Sequence, residues 1–559
     1  MPTDTHSSGW HFRSGAIIAF VAALTPVIAA AQSSPADRID AIERQIRELQ
    51  GELQSLKVEL GDTKQQLRQS RIETQRAREQ AHRIKEAARQ AQPGVPAPPE
   101  SEARGEAAVA SPTAAPIAVP PPEPHVIQSA TNRFGLESAD GRNSIALTGR
   151  LHFDAGDYLD YDPQSKKFAS VQDLNSGVNA RRARLGVTGK FAGDWDYTLI
   201  YDFGGSSDGL PPTAGAPSSG IESSYLTYNG LNKGPLPLAF DLGYMKTPFS
   251  LEQATSSNDI MFVERPSAQV IAASIMAGSY RSALGMRSND SRYWSGVYLT
   301  GPQSGAAHNT AEQMGAFGRA TYQLLQAPDY SLHVGVDLGG LLKPPAPGGI
   351  PTITLSDRPE LRVDPTAILS TGALGTAANP VNNAAVYGVE GAAGYQSLFM
   401  QGEYYHIAVD RQGLPVNNFD GGYIEASWTL TGEHRNYLPA SGAYSGIIPA
   451  NPFSPWDDGF GLGAFEVAGR FSTVSLNDHF MPGVPPGITN AVGGGKQTVY
   501  AVGLNWYPNA NVRFMFDYLH GNIDKRFSTA AGGGIAGTPL GTPIGGNFDA
   551  VALRTQFAF

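Results

Sequence analysis

From about residue 127 to the end of the chain, apolar and polar residues alternate with a period of two, segment after segment, and Gly, Pro, Asn and Asp break the runs. A period of two is that of a β-strand with one greasy and one wet face. In the last segment Val551, Leu553, Phe557 and Phe559 share a face with Thr555, while Ala552, Arg554, Gln556 and Ala558 lie opposite. Near the start, Ile145, Leu147, Leu151 and Phe153 oppose Thr148, Arg150, His152 and Asp154. Leu185, Val187 and Phe191 oppose Arg182, Arg184, Thr188 and Lys190. The same pattern returns where Phe465, Val467 and Phe471 oppose Glu466, Arg470 and Ser472.

A soluble sandwich buries its apolar face in protein. Here that face recurs around the whole domain, and charges of both signs occupy the other. The pattern predicts an all-β transmembrane barrel of antiparallel strands with an apolar outer band and a polar lumen. Only a closed barrel leaves no unpaired strand edge in lipid. Clear strand candidates are 145–157, 182–191, 195–203, 223–228, 238–246, 293–300, 316–325, 398–407, 423–430, 464–475, 498–507, 512–520 and 548–559. Weaker segments bring the expected count to about sixteen, an even number as such barrels require. The long stretches 343–381 and 435–459 are expected at the outer side, some folding into the lumen.

Three segments precede the barrel, giving the expected order 1–31, 36–92, 93–126 and 127–559. His11 and Arg13 lead into an apolar run from Gly15 to Ile28 that ends on Ala29-Ala30-Ala31, the pattern of a secretory signal peptide. Residues 36–92 carry a 3-4 spacing through Ile39, Ile42, Ile46, Leu49, Leu53, Leu56, Leu60 and Leu67. A sustained period of 3.5 predicts a left-handed α-helical coiled coil, and Ile at both seam positions favours trimers. Opposite charges at Glu52 and Lys57, and at Glu59 and Lys64, favour parallel chains. Such a helix reaches about 80 Å at 1.5 Å per residue. Residues 93–126 are rich in Pro and Ala and read as a semi-rigid linker.

Composition closes off several alternatives. The chain has no cysteine, so thiolate metal sites and disulfides are excluded. After residue 31 no apolar run is long enough for a helical span of about 18 residues. Gly (64) and aromatic residues are plentiful, as many turns and two aromatic girdles require. Net charge is −10, and from Gln128 onward 27 Lys and Arg stand against 36 Asp and Glu. That balance gives no support to nucleic-acid binding, and any anion preference must come from local placement. The histidines of the barrel fall in no nucleophilic or metal-ligand spacing, so no enzyme, cofactor or metal site is expected. Gly493-Gly494-Gly495-Lys496 reads as a turn rather than a phosphate-binding loop.

Specific stretches carry a resemblance. They are Gly149-Arg150-Leu151-His152-Phe153-Asp154, Arg181-Arg182-Ala183-Arg184-Leu185-Gly186-Val187, Asp194-Trp195-Asp196-Tyr197, and Lys246-Thr247-Pro248-Phe249-Ser250-Leu251-Glu252. Ala254-Thr255-Ser256-Ser257, Glu264-Arg265, Leu430-Thr431-Gly432-Glu433, Gly463-Ala464-Phe465-Glu466 and Gly503-Leu504-Asn505-Trp506-Tyr507 follow in order. In that order the chain resembles the phosphate-selective porin O and P family, and its terminal phenylalanine resembles the assembly address of bacterial outer-membrane barrels. The resemblance implies a homotrimeric porin in the outer membrane, in contact with its lipids, passing small solutes and preferably anions. It implies pore arginines at Arg150, Arg181, Arg182 and Arg265, with Ser256 and Ser257 as hydroxyl donors. Guanidinium groups stay charged and hold oxyanions through several donors. Arg184 joins Arg181 and Arg182 in a cluster so tight that few local acids can neutralise it.

Two departures stand out. Gln253 occupies the position where phosphate-specific members carry a lysine, and only Arg358 and Arg362 stand in a loop where those members carry a run of arginines. A weakly anion-selective pore is therefore expected rather than a tight phosphate site. The coiled coil could also engage peptidoglycan, making the barrel an anchor of a structural tether. Deleting residues 32–125 separates the two: channels of the truncated protein in a planar bilayer are expected to conduct, and a silent barrel would refute the pore.

Overall fold

The computed structural model describes residues 124–128, 133–163, 174–204, 220–232, 234, 236–276, 280–302, 313–327, 329–455, 461–481, 490–527 and 539–559. The expected signal and coiled-coil segments, and the expected 93–126 linker up to residue 123, lie outside the described residues, while His125–Gln128 at the end of that linker is a short strand paired with Phe134–Glu137. The rest forms a closed 16-strand antiparallel barrel. Its strands are β1 (Ser144–Pro163), β2 (Gly177–Phe191), β3 (Trp195–Asp202), β4 (Gly220–Leu231), β5 (Leu238–Lys246), β6 (Tyr280–Asn289), β7 (Tyr293–Thr300) and β8 (Met314–Gln326). They continue with β9 (Tyr330–Lys343), β10 (Val381–Tyr395), β11 (Leu398–Arg411), β12 (Asn417–Thr429), β13 (Ala464–Asp478), β14 (Val492–Tyr507), β15 (Val512–Asp524) and β16 (Gly546–Ala558).

Closure is made by β16 on β1, from Gly546 opposite Pro163 to Ala558 opposite Arg150. Phe559 extends the ladder, its N–H donating to Gly149 O at 3.0 Å and its carbonyl accepting from Gly149 N at 3.1 Å. A Cβ on Gly149 would stand 2.4 Å from the Phe559 ring, so glycine lets the terminal aromatic lie flat on the first strand. The remaining edge of β1 is taken by the short strand Phe134–Glu137.

The alternation sorts as expected. Leu147, Leu151, Phe153, Leu185, Leu553 and Phe557 are exposed on the outer wall, while His152, Asp154, Arg182, Arg184 and Arg554 are buried inside. Stacked aromatic rings, Phe191 on Trp195 and Phe465 and Phe514 on Trp506, form a belt at the end of the barrel that carries the short turns.

Among the described residues, three connections enter the lumen. The 247–279 connection leaves β5 at the end opposite the short turns, and its described residues, 247–276, carry two helices, α1 (Leu251–Ala254) and α2 (Ser267–Met276). Ser250 caps α1, its side-chain oxygen accepting from Gln253 N, and the Glu403 carboxylate accepts from Leu251 N at 2.7 Å. Ile271, Ile275 and Met276 of α2 pack on inward apolar residues of the wall, among them Phe317, Val386, Val409 and Phe419. Each such buried side chain contributes roughly 1.5–3 kcal/mol of hydrophobic stabilisation. Residues 344–380 enter from the same end and form a strand pair, Thr354–Asp357 with Leu369–Ala373.

The third is a correction to the sequence expectation. The 435–459 stretch, placed there with the outer connections, belongs to the connection between β12 and β13 (430–463), which follows an even-numbered strand and so leaves from the short-turn end. The strands at Tyr280–Asn289, Tyr330–Lys343 and Val381–Tyr395, missing from the clear candidates, fix that parity. The pair Tyr437–Leu438 and Ala443–Tyr444 reaches inward. Its tip is clamped where Trp294 Nε1 donates to Ala440 O at 3.1 Å and the Arg319 guanidinium donates to Ser441 O and Gly442 O at 2.9 and 2.7 Å.

Buried ion pairs fasten the 247–279 connection to the wall. Arg554 holds Asp154 through two bonds of 2.6 Å and reaches Glu264 at 3.2 Å. Arg181 donates to both oxygens of Glu264, at 2.6 and 3.1 Å. Burial by itself pushes the Glu264 carboxyl up, but Arg181, Arg182 and Arg554 outweigh it and hold the group well below the usual carboxylate range. A depressed carboxyl contributes stability above its unfolded value of about 4.3, and loses it only as pH falls through the depressed value. Removing one partner of a buried pair costs about 3–5 kcal/mol. Glu264→Gln is therefore expected to lower the heat-unfolding midpoint in detergent by a similar margin at pH 7 and pH 4.5. A margin that vanishes at pH 4.5 would contradict this.

Candidate pore constriction

The turn that follows α1 sets Ser256 and Ser257 across the lumen from Arg150 on β1. Arg150 Nη1 donates to Ser257 Oγ at 2.5 Å and Nη2 to Ser256 Oγ at 3.2 Å. Among the described residues no carboxylate lies within 4.0 Å of this guanidinium. Arg150 keeps part of its surface in the lumen, whereas Arg181, Arg182, Arg184 and Arg265 are buried.

Arg150 and Ser256 both line two adjoining cavities, of about 350 Å³ and 240 Å³. The larger also meets Glu222, Asp241, Lys246, Gln253, Tyr280, Arg287 and Ser257, with Ala440 and Ser441 of the inward hairpin. The smaller runs toward the short-turn end, past Arg133, Asp259, Gly446, Arg513 and Phe559. Together they present five basic side chains and three carboxylates, in a domain whose overall balance is acidic. Burial pushes the Asp259 carboxyl above its usual range, against the pull of Arg435, Arg150 and Arg513.

The other expected site residues take different places. Arg184 is held by Asp202 at 2.6 Å and Glu222 at 2.8 Å. Arg181 is held by Glu264, and Arg182 faces His152 Nδ1 at 3.3 Å. The expectation that few local acids neutralise this cluster does not hold for Arg184 and Arg181. Asp202 is the cross-strand partner of Arg184 in register, and Glu264 reaches Arg181 from 83 residues away on the inward connection. Arg265 donates to the carbonyls of Glu252 and Thr255 at 3.0 and 2.9 Å and so braces the end of α1. Gln253 accepts from Gln269 Nε2 at 3.1 Å.

Sequence reasoning passed over Lys246 as a site. Its Nζ donates to Thr255 O at 2.7 Å, bringing an ammonium to the cavity that Gln253 also lines. The lysine ends a strand and precedes the Thr-Pro-Phe-Ser turn, a signal that was legible. Ala440 and Ser441 carried none, because their end of the barrel depended on strand parity.

Residues 145–559 match the phosphate-selective porin O and P family. Porin O of Pseudomonas aeruginosa is 25% identical over 409 residues, covering 70% of this chain and 86% of its own. A Caulobacter vibrioides protein of uncharacterised function is 26% identical over 411 residues, covering 70% of each. Among solved structures, the anion-selective porin of Comamonas acidovorans is similar with a TM-score of 0.43 and 13% identity, covering 75% of this chain and all of that one. On the match over the whole barrel, the chain belongs to the phosphate-selective porin O and P family and is an outer-membrane porin channel.

Proposed function

We propose that this porin is a weakly anion-selective diffusion channel for small solutes, phosphate and other oxyanions among them, and that it works as a homotrimer with the 36–92 segment as a periplasmic coiled coil. The observation that carries the anion preference is Arg150, a lumen guanidinium bonded to two hydroxyls with no carboxylate within 4.0 Å among the described residues, at the junction of two locally basic cavities.

Weak selectivity follows from the same inventory. Arg184 and Arg287 are matched by Asp202, Glu222 and Asp241 at 2.6–3.0 Å. A paired guanidinium contributes little net field to a passing ion. Gln253 offers a neutral amide, and Lys246 supplies an ammonium to the larger cavity. A dianion thus meets one unmatched guanidinium, an ammonium and hydroxyl donors. Oxyanions fit those donors.

The test is the reversal potential of single channels in a planar bilayer under a potassium chloride gradient. A unit charge at about 4 Å in water is worth about 1 kcal/mol, or roughly fivefold in relative permeability. Arg150→Gln is expected to lower the chloride-to-potassium permeability ratio by about that factor. An unchanged ratio would refute the assignment.

A further inference from the structure

The outer wall carries one four-residue cluster twice. His406 and Tyr404 on β11 stand at the ninth and seventh positions of their strand, and His520 and Tyr518 occupy the same positions on β15. On the following strands Asp420 and Asp549 are both fourth residues, each within an Asn-Phe-Asp triplet. His406 Nδ1 lies 2.8 Å from Asp420 Oδ1, and Tyr404 OH donates to the same oxygen at 2.5 Å. His520 Nδ1 lies 2.8 Å from Asp549 Oδ1, and Tyr518 OH donates to it at 2.6 Å. A second tyrosine flanks each imidazole from the preceding strand, Tyr387 in register with His406 and Tyr500 with His520. The inward phenylalanines of the triplets, Phe419 and Phe548, are each 1% exposed and force both aspartates outward.

None of this belongs to the lumen. The four tyrosines are 40–55% exposed on the outer wall, and the imidazoles 38% and 53%. Both clusters lie toward the end opposite the short turns, which in such barrels is the cell exterior. With Nδ1 donating to the aspartate, Nε2 is the free end of each ring, and among the described residues it has no protein partner. The aspartate oxygen already accepts two hydrogen bonds, so it repels an approaching anion less than a bare carboxylate. One imidazole nitrogen beside one occupied carboxylate is too small a donor set for a metal ion.

We propose that the two clusters are binding sites for the phosphate monoester headgroup of an outer-leaflet lipid. A hydrogen bond between Nε2 and a phosphate oxygen needs one proton, and either the imidazolium or the monoester brings it. The flanking tyrosine rings sit where amphipathic aromatics favour the headgroup level. The groups facing His406 are Tyr387, Tyr404 and Asp420. Those facing His520 are Tyr500, Tyr518 and Asp549, with Asp160 of β1 in register beside Asp549. The extra carboxylate makes the second site the weaker one.

The test uses the full-length protein in mild detergent, heated with diphosphoryl lipid A, dephosphorylated lipid A or inorganic phosphate. The expected result is a higher unfolding midpoint with diphosphoryl lipid A alone. That increment should fall by more than half in His406→Gln/His520→Gln, with the His406 substitution taking the larger share. Equal increments for the double variant, or for the dephosphorylated lipid, would overturn the proposal. An equal increment from inorganic phosphate would overturn the lipid assignment. If the double variant does not fold, the single variants carry the same comparison, and the wild-type lipid arms need no variant.

Discussion

Every other feature depends on one demand: in lipid, each backbone N–H and C=O of the wall must find its partner within the protein. The sixteen-strand ladder meets that demand only because β16 returns to β1, and the last hydrogen bonds of that seam belong to Phe559 and Gly149. Once closed, the wall has two faces and no edges. The period-two alternation then decides everything about orientation. One face carries Leu, Val, Phe and Tyr to the bilayer, and the other carries arginines and carboxylates to the interior.

The interior charges serve two ends that compete. A channel needs charge exposed to water, whereas the inward connections need charge to hold them in place. The pairs Arg181–Glu264, Arg554–Glu264, Arg470–Glu360 and Arg435–Glu466 are consumed in fastening those connections. Buried pairs of this kind fix geometry more than they add net stability. What remains unpaired defines the electrical character of the path. Arg150 stands there because its partners, the hydroxyls of Ser256 and Ser257, accept its hydrogen bonds without neutralising it. Channel selectivity is thus a remainder of the folding electrostatics, set by a few side chains in a domain that is acidic overall.

The fold was legible where a short-range pattern dictated it. Alternation in Ile145–Asp154 and Phe465–Ser472 assigned faces that the structure places as expected, because a strand's side-chain direction is local. Arg150 with Ser256 and Ser257 was legible through resemblance. The pairing of Arg184 with Asp202 was half legible, since both residues sat on inward faces of neighbouring strands, but register was not known. Glu264 on Arg181 was not legible: it depends on a connection folding back through the lumen, a contact 83 residues long in sequence. The entry side of residues 430–463 was hidden for a different reason. Glycine-rich strands such as β9 and β10 have weak alternation, and each missed strand reverses the parity of all that follow.

The most direct measurement exploits the absence of cysteine from the chain. Cysteine is placed singly at Arg150 or at Arg182, and each variant is exposed in the bilayer to a cationic methanethiosulfonate reagent. At position 150 the reagent should react within seconds and restore the anion preference that the substitution removes. At the buried position 182 it should leave the current unchanged. Equal reactivity at both positions, or none at 150, would contradict the claim that Arg150 lines the ion path while the neighbouring arginines are sealed in the wall.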